Sequence, residues 1–426
     1  MWRKKLFKYI TTFLALACVQ AALGEPHARK VLVTVAHDSD AEARIFKSME
    51  RTGVNYGQYE SASLARKKLI ALAKDHNLGA PENTWQIHLI DEYCGVYTIA
   101  DERDIDALLK GLAADKRVAS SQSMMTYHSQ NEPLGMRVQA TNYDDNDADS
   151  SATSQVYNDP YFAKQFSESA PVVQALHAQS KGEGVKVAII DTAIDNRHVD
   201  FLGLSIDTIS TIPANVKHMH MGMHGTAMLG VIGAQPNNAQ GIVGLTPEAD
   251  ILSVGACWYP KARKLSSAIC SSLSIAVALD LSVREGADII NMSLSGPADP
   301  FVERIIKKIV SNNKIIIAAD PLIGANRYPA ILPGVVAVAS NVVGLDKAVE
   351  IDNNRDNPMT IAIDVIELLS TAPENSYEFY TGASVSTAFA TGLFALRFNE
   401  HSDAPKKLKR AVGEDLERFH YPFYLK

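Results

Sequence analysis

The rhythm of hydrophobic positions along the chain changes twice, and the changes divide it. Between Lys30 and about Ser129, short apolar runs alternate with helical spacing. Val31-Leu32-Val33-Thr34-Val35-Ala36 is a strand by composition. Ser63 to His76 sets Leu64, Leu69 and Leu72 on one side of a helix, and Thr84 to Ile90 and Gly95 to Ala100 are strand-like. Asp101 stands as cap to a second helix in which Ile105, Leu108, Leu109 and Leu112 recur at helical spacing. A strand from Val118 to Tyr127 closes this unit. The pattern predicts a small α+β domain over residues 25–129, made of core positions and solvated faces, with no catalytic look to it.

From Gln130 to Gln165 the periodicity lapses. Asn142 to Ser151 is acidic and polar, and the stretch 130–165 is expected to be a solvated linker. A calcium-loop reading of its aspartates is the weaker one, because the EF-hand glycine and terminal glutamate fall out of register. Beyond the linker, continuous apolar strands alternate with helices. Val185 to Ile190 leads into Asp191, and Asp250 to Val254 is a second strand. A helix over Ser266–Glu285, a strand over Ala287–Met292, a helix over Phe301–Asn312 and strands over Lys314–Ala318 and Gly334–Ala339 follow. Apolar strands of this kind are buried on both faces, so residues 166–426 are predicted to form an α/β fold, a largely parallel sheet with helices on each side. Working groups in such sheets gather at the carboxyl ends of the strands, where Asp191 lies. The small-residue run through Leu396 predicts a buried helix with Ser384 in its first turn. A hydroxyl there sits beside unpaired backbone N–H groups and the positive end of the helix dipole, which suits a nucleophile and equally suits a simple N-cap.

Composition narrows the picture. A chain of 426 residues is too long for one core. A formal charge of −7 leaves no basic footprint for nucleic acid. Arg3, Lys4, Lys5 and Lys8 precede an apolar run from Tyr9 to about Leu23 that ends in Ala22-Leu23-Gly24. This describes a secretory signal peptide over residues 1–24, too short for a stable membrane span, and predicts export to a periplasm or beyond. Cys18 is poorly placed for lipidation, and no later stretch is long and apolar enough to span a bilayer. Export permits disulfides. Cys257 and Cys270 enclose a loop of a dozen residues and are the expected pair, stabilising by about 2–3 kcal/mol, with Cys94 left as a buried thiol.

Three segments carry the chemistry: Asp191-Thr192-Ala193-Ile194-Asp195, His224-Gly225-Thr226-Ala227-Met228 and Thr381-Gly382-Ala383-Ser384. Singly, each has ordinary readings; an aspartate after an apolar strand also ends Walker B segments. The order Asp, His, Ser on an α/β background is that of subtilisin, whereas an α/β-hydrolase esterase runs Ser, Asp, His. On these residues, and on Gly241 to Pro247 and Ala287 to Leu294, the chain resembles the subtilisin-like serine proteases. The resemblance implies an exported serine endopeptidase in which Ser384 attacks the scissile carbonyl, His224 serves as general base and Asp191 orients the ring. It implies that Ser293, Leu294 and Ser295 pair with an extended polypeptide substrate. Residues 31–128 are similar to the family's inhibitory propeptides, which implies a zymogen that processes itself, with its own propeptide as intramolecular inhibitor. Cys257 and Cys270 resemble a pair seen in some exported members. No cofactor is implied for the chemistry, and a structural calcium is implied at Asp200 and Asn238.

The match departs from the family after the strand ending Ala318-Ala319. The usual Gly-Asn, whose asparagine donates to the oxyanion, is replaced by Asp320-Pro321, and Tyr328-Pro329 realigns beyond a shortened loop. Asp320 and Asn326 are the nearest substitutes. An ionised carboxylate repels an oxyanion, and one lost donor costs about a hundred- to thousandfold in turnover by the figure measured in subtilisin itself. Two expectations therefore stand: a protease, and a catalytically impaired peptide-binding protein on the same scaffold.

Overall fold

The structure is a computed structural model of the full chain and describes residues 29–36, 57–100, 102–129, 133–139, 157–214, 216, 218–219, 222–260, 267–322, 326–340, 359–363, 367–401, 405–419 and 423–425. The expected signal peptide, Asp101 and the acidic run 142–151 lie outside the described residues. The chain divides into two compact units, Met1–Gln86 with Asp91–Met124, and Ile87–Ile90 with Met125–Lys426.

The first unit runs β1 (Lys30–Ala36), α1 (Gly57–Asp75), β2 (Asn83–Ile87), β3 (Glu92–Thr98), α2 (Ile105–Ala113) and β4 (Ser120–Ser123). Its sheet has the order β2-β3-β1-β4, with β1 antiparallel to both neighbours, the ferredoxin-like arrangement. Val31, Val33 and Val35 alternate along β1 and so share one face. Ala65, Leu69 and Leu72 of α1 and Leu108 and Leu112 of α2 close over that face. The cap of α2 is Asp104, whose Oδ1 accepts from Ala107 N at 3.1 Å.

The second unit begins with β5 (Thr126–Ser129) and β6 (Pro133–Gln139), then α3 (Phe162–Phe166), α4 (Ala170–His177), β7 (Lys186–Thr192), β8 (Ile206–Ser210) and β9 (His218–Met219). Next come α5 (Met223–Gly233), β10 (Asp250–Pro260), β11 (Ile269–Ser271), α6 (Ser272–Arg284), β12 (Ile289–Met292), β13 (Leu294–Ser295) and α7 (Pro300–Ser311). The unit ends with β14 (Ile315–Asp320), β15 (Val336–Ala339), β16 (Met359–Ile363), β17 (Leu368–Ala372), β18 (Ser376–Tyr380), α8 (Ala383–His401), α9 (Pro405–Leu416) and β19 (Phe423–Leu425).

The main sheet has the order β13-β5-β11-β10-β7-β12-β14-β15-β16-β19, and its centre, β10-β7-β12-β14-β15-β16, is parallel throughout. The α/β architecture with a largely parallel sheet is that expected. Val187, Ile189, Ile289 and Ile317 face a core shared with α5 and α8. The alternate residues Ala188, Ile190, Ile290 and Ile316 are equally buried, so helices cover both faces. Every residue of α8 from Ala383 to Leu396 is buried, as befits a helix apolar all round.

Two local expectations change. The strand expected over Val118–Tyr127 is two strands, β4 in the first unit and β5 in the second. The stretch 130–165, expected as linker, contains β6, which pairs antiparallel with β18, and the start of α3.

Candidate active site

Asp191 stands at the carboxyl end of β7, His224 is the second residue of α5 and Ser384 the second of α8. All three are buried. The approach of α5 to β7 has a steric cause. A methyl group on Gly225 would lie 2.5 Å from Thr192 O, so only glycine lets the helix start this close. Gly225 N donates to Thr192 Oγ1 at 2.8 Å, and Asp195 N donates to Thr226 Oγ1 at 2.8 Å. The Asp-Thr and His-Gly-Thr motifs thus lock onto one another through their threonines. The lock places His224 Nδ1 2.7 and 2.8 Å from the two carboxylate oxygens of Asp191. With only acceptors facing it, Nδ1 carries the proton, and Nε2 keeps its lone pair. Nε2 is buried and has no hydrogen-bond partner among the described residues.

Ser384 is tied to the end of β12. Its hydroxyl donates to Ser293 O at 2.8 Å, and the Ser293 hydroxyl donates to Ser384 O at 3.0 Å. Asn291 Nδ2 donates to Thr391 Oγ1 at 2.9 Å, two helical turns further on. Gly382, with φ of 101°, makes the left-handed turn that launches α8. Ser384 therefore sits in the first helical turn, where backbone N–H groups have no intrahelical acceptor.

Beside this corner, β13 carries the strand expected to receive an extended chain. Its partner is β5: Leu294 lies opposite Ser129 and Ser295 opposite His128, antiparallel. The other edge of β5 pairs with β11, Ile269 opposite His128 and Cys270 opposite Tyr127. Residues 126–129 of the chain thus fill a slot between two strands. Cys270 and Cys257 face one another across β10 and β11 and form a disulfide, as expected, while Cys94 is a buried thiol that donates to Trp85 O at 3.1 Å.

The model of the subtilase family (peptidase S8) matches residues 182–412, just over half of the chain, and spans all three residues. The chain belongs to the subtilase family of serine endopeptidases. It is 28% identical to subtilisin amylosacchariticus from Bacillus subtilis subsp. amylosacchariticus over 59% of this chain and 69% of that protein. It is 26% identical to thermitase from Thermoactinomyces vulgaris over 56% of this chain and 84% of that protein. Among solved structures, fervidolysin from Fervidobacterium pennivorans, a keratinolytic enzyme related to subtilisin, superposes with a TM-score of 0.60 at 17% identity, over 89% of this chain and 55% of its own length. That likeness is one of fold; the chain spans about half of fervidolysin.

Two features set this subtilase apart from the expectations. Asp320 ends β14 with both carboxylate oxygens engaged: Arg327 Nε donates to Oδ1 at 2.8 Å, Arg327 Nη2 to Oδ2 at 2.7 Å, and Leu322 N to Oδ1 at 2.9 Å. It is a buried carboxylate held in a bidentate ion pair rather than a bare charge, and the pairing raises the pKa of Arg327. Asn326 is exposed, and Arg327 is the residue that sequence reasoning passed over. Its only signal was a basic residue in the same shortened loop as the unexpected acid.

The residues expected to hold calcium, Asp200 and Asn238, do meet, through a hydrogen bond to the carboxylate. Asn238 Nδ2 donates to Asp200 Oδ1 at 3.1 Å and Ile242 N to Oδ2 at 3.0 Å. Both carboxylate oxygens thus accept hydrogen bonds from within the chain, and among the described residues no cluster of three His, Cys, Asp or Glu forms around them. Burial pushes Asp200 up to about 6 despite these hydrogen bonds.

Proposed function

We propose that the chain is an exported endopeptidase, made as a zymogen, that cleaves peptide bonds with Ser384, His224 and Asp191. The observation that carries this reading is the pairing of His224 Nδ1 with both oxygens of Asp191 while Nε2 is buried without a partner among the described residues. An imidazole satisfied on one nitrogen and open on the other is a base awaiting a proton.

The Ser384 hydroxyl is released from Ser293 O and gives its proton to His224 Nε2 as Oγ bonds to the scissile carbonyl carbon. Asp191 stabilises the imidazolium so formed. The carbonyl electrons move onto oxygen, where the Ser384 N–H and the dipole of α8 receive the charge. Collapse breaks the C–N bond as His224 returns the proton to the leaving amine. Water, deprotonated by the same nitrogen, then attacks the acyl carbon, the bond from that carbon to Ser384 Oγ breaks, and His224 returns the proton to Oγ. The ion pair with Arg327 offsets the charge of Asp320 but supplies no replacement for the asparagine whose loss argues for a protein that holds peptides without cutting them, so the expected enzyme is a slow one.

We read the first unit, with β5, as the propeptide: a strand in the slot between β11 and β13 occupies the place of a substrate backbone. A disulfide between Cys257 and Cys270 accords with export. The test is a fluorophosphonate probe on the purified chain beside its Ser384→Ala variant. The wild type should label and shorten itself, and the variant should do neither, losing about 10⁴-fold or more in turnover. Failure of the wild type on both counts would overturn the reading.

A further inference from the structure

The strand that leads into Ser384 carries a second length of extended chain. β18 ends at Tyr380, four residues before Ser384, and is the middle strand of a sheet of order β17-β18-β6. One edge of β18 is taken by its hairpin partner β17. On the other edge β6 lies antiparallel, with Pro133 opposite Tyr380, Arg137 opposite Glu378 and Gln139 opposite Ser376. Ser129, at the end of β5, stands opposite Leu294, next to the Ser293 whose carbonyl binds the Ser384 hydroxyl. β5 thus ends beside the strand that holds the nucleophile, and β6 begins beside the strand that leads into it. Glu378 is the odd residue of this sheet. It is only 7% exposed, and its Oε2 is buried with no hydrogen-bond partner among the described residues. Its neighbour across β17, Ser370, spends its hydroxyl on Ala227 O at 2.6 Å. A buried carboxylate oxygen is costly unless a donor or a cation meets it. Residues directly opposite on antiparallel strands share a face, and the residue opposite Glu378 on β6 is an arginine.

We propose that the outer edge of β18 is a docking strand for the part of a polypeptide substrate beyond the bond cut, and that Glu378 selects there for a basic residue. β6 is the first such chain, and a substrate takes its place once β6 lifts away. Arg137 is the eighth residue after Ser129 and the fifth after residue 132, so a bond cut between Ser129 and Pro133 sets the basic residue five to eight positions past it. The substrate half of this inference rests on the endopeptidase reading; the hold of β18 on β6 does not. Backbone pairing along an edge accepts any extended chain, and the buried acid adds the preference. Arginine or lysine opposite Glu378 would meet the carboxylate. Alanine would leave it unmet, and glutamate would repel it.

Two measurements decide it. In the full chain carrying Ser384→Ala, hydrogen exchange over residues 133–139 should rise about tenfold for Arg137→Ala and for Glu378→Gln, and the double variant should exceed neither. Arg137→Glu, which leaves β18 itself untouched, should raise exchange at least as far, and Arg137→Lys should hold it near its starting value. Additive effects, or none, would overturn the proposal. In parallel, the wild-type chain is offered peptides that extend past the bond cut as far as β6 runs, with arginine or alanine placed in turn at each position. At one position kcat/KM should be about tenfold higher for arginine, through KM, and Glu378→Gln should erase the difference. Equal use of the two residues, or a difference that survives Glu378→Gln, would overturn the proposal. If no peptide is cut while the exchange coupling holds, the endopeptidase reading fails and the docking edge of β18 stands.

Discussion

His224 owes its tautomer to a carboxylate that presents both oxygens to one nitrogen. In Asp191→Asn, the amide can turn its NH₂ toward Nδ1, driving the proton to Nε2 and removing the base. Turnover of that variant is expected to fall about 10⁴-fold with the fold intact, measured as kcat beside an unchanged thermal midpoint. Asp320 leads to an opposite expectation. Sequence alone argues that Asp320→Asn should raise activity by relieving repulsion. With Arg327 clamped on both oxygens, the substitution instead strands a guanidinium that is only about a third exposed. A loss of about 1–3 kcal/mol in stability with no gain in turnover is expected, read by chemical denaturation and peptide hydrolysis. The meeting of Asp191 with His224 was legible because a strand end and a motif glycine announce it. The partner of Asp320 was not, since a salt bridge inside a shortened loop leaves no periodic trace.

At the scale of elements, position depends on glycine as much as on the reacting groups. Gly225→Ala would press a methyl group against Thr192 O, and α5 would have to retreat by an ångström or so. A fall of about a hundredfold in kcat is expected, with the fluorophosphonate probe still reacting but more slowly. Strand-and-helix alternation made the parallel centre of the sheet readable, and buried α8 announced itself by having no polar side. What pattern could not supply was ownership. The apolar rhythm of residues 118–127 predicts extended backbone, yet the break at Met124–Met125 assigns β4 and β5 to different units, and only tertiary partners decide that. Likewise β6, with Pro133 and Gly135, has a poor strand composition and owes its conformation to β18.

The second unit as a whole carries a pH liability in a histidine that the proposed chemistry does not use. His177 is buried between Tyr157, whose hydroxyl donates to Nδ1 at 2.8 Å, and Leu245 O, which accepts from Nε2 at 2.9 Å. Those two partners suit the neutral ring, and burial lowers its pKa from 6.5 to about 4. A base with a depressed folded pKa gives stability that is complete above 6.5 and is lost as pH falls toward 4, about 3 kcal/mol in all. In the Ser384→Ala background, His177→Gln should flatten the fall in unfolding free energy between pH 6.5 and 4, whatever its effect at neutral pH. Reduction of the Cys257–Cys270 disulfide should lower stability by about 2–3 kcal/mol at every pH, a parallel shift in the same denaturation curves.

The slot that holds β5 is bounded by strands on both edges. A chain entering it must offer two bare backbone edges at once, and no residue within a native helix or inner strand has even one to spare. Four residues of any target must come loose from their own protein before they can be bound. The rate of attack on a folded target should then follow the free energy of its local opening rather than its surface sequence, and a rigid loop should outlast a fraying terminus of the same sequence.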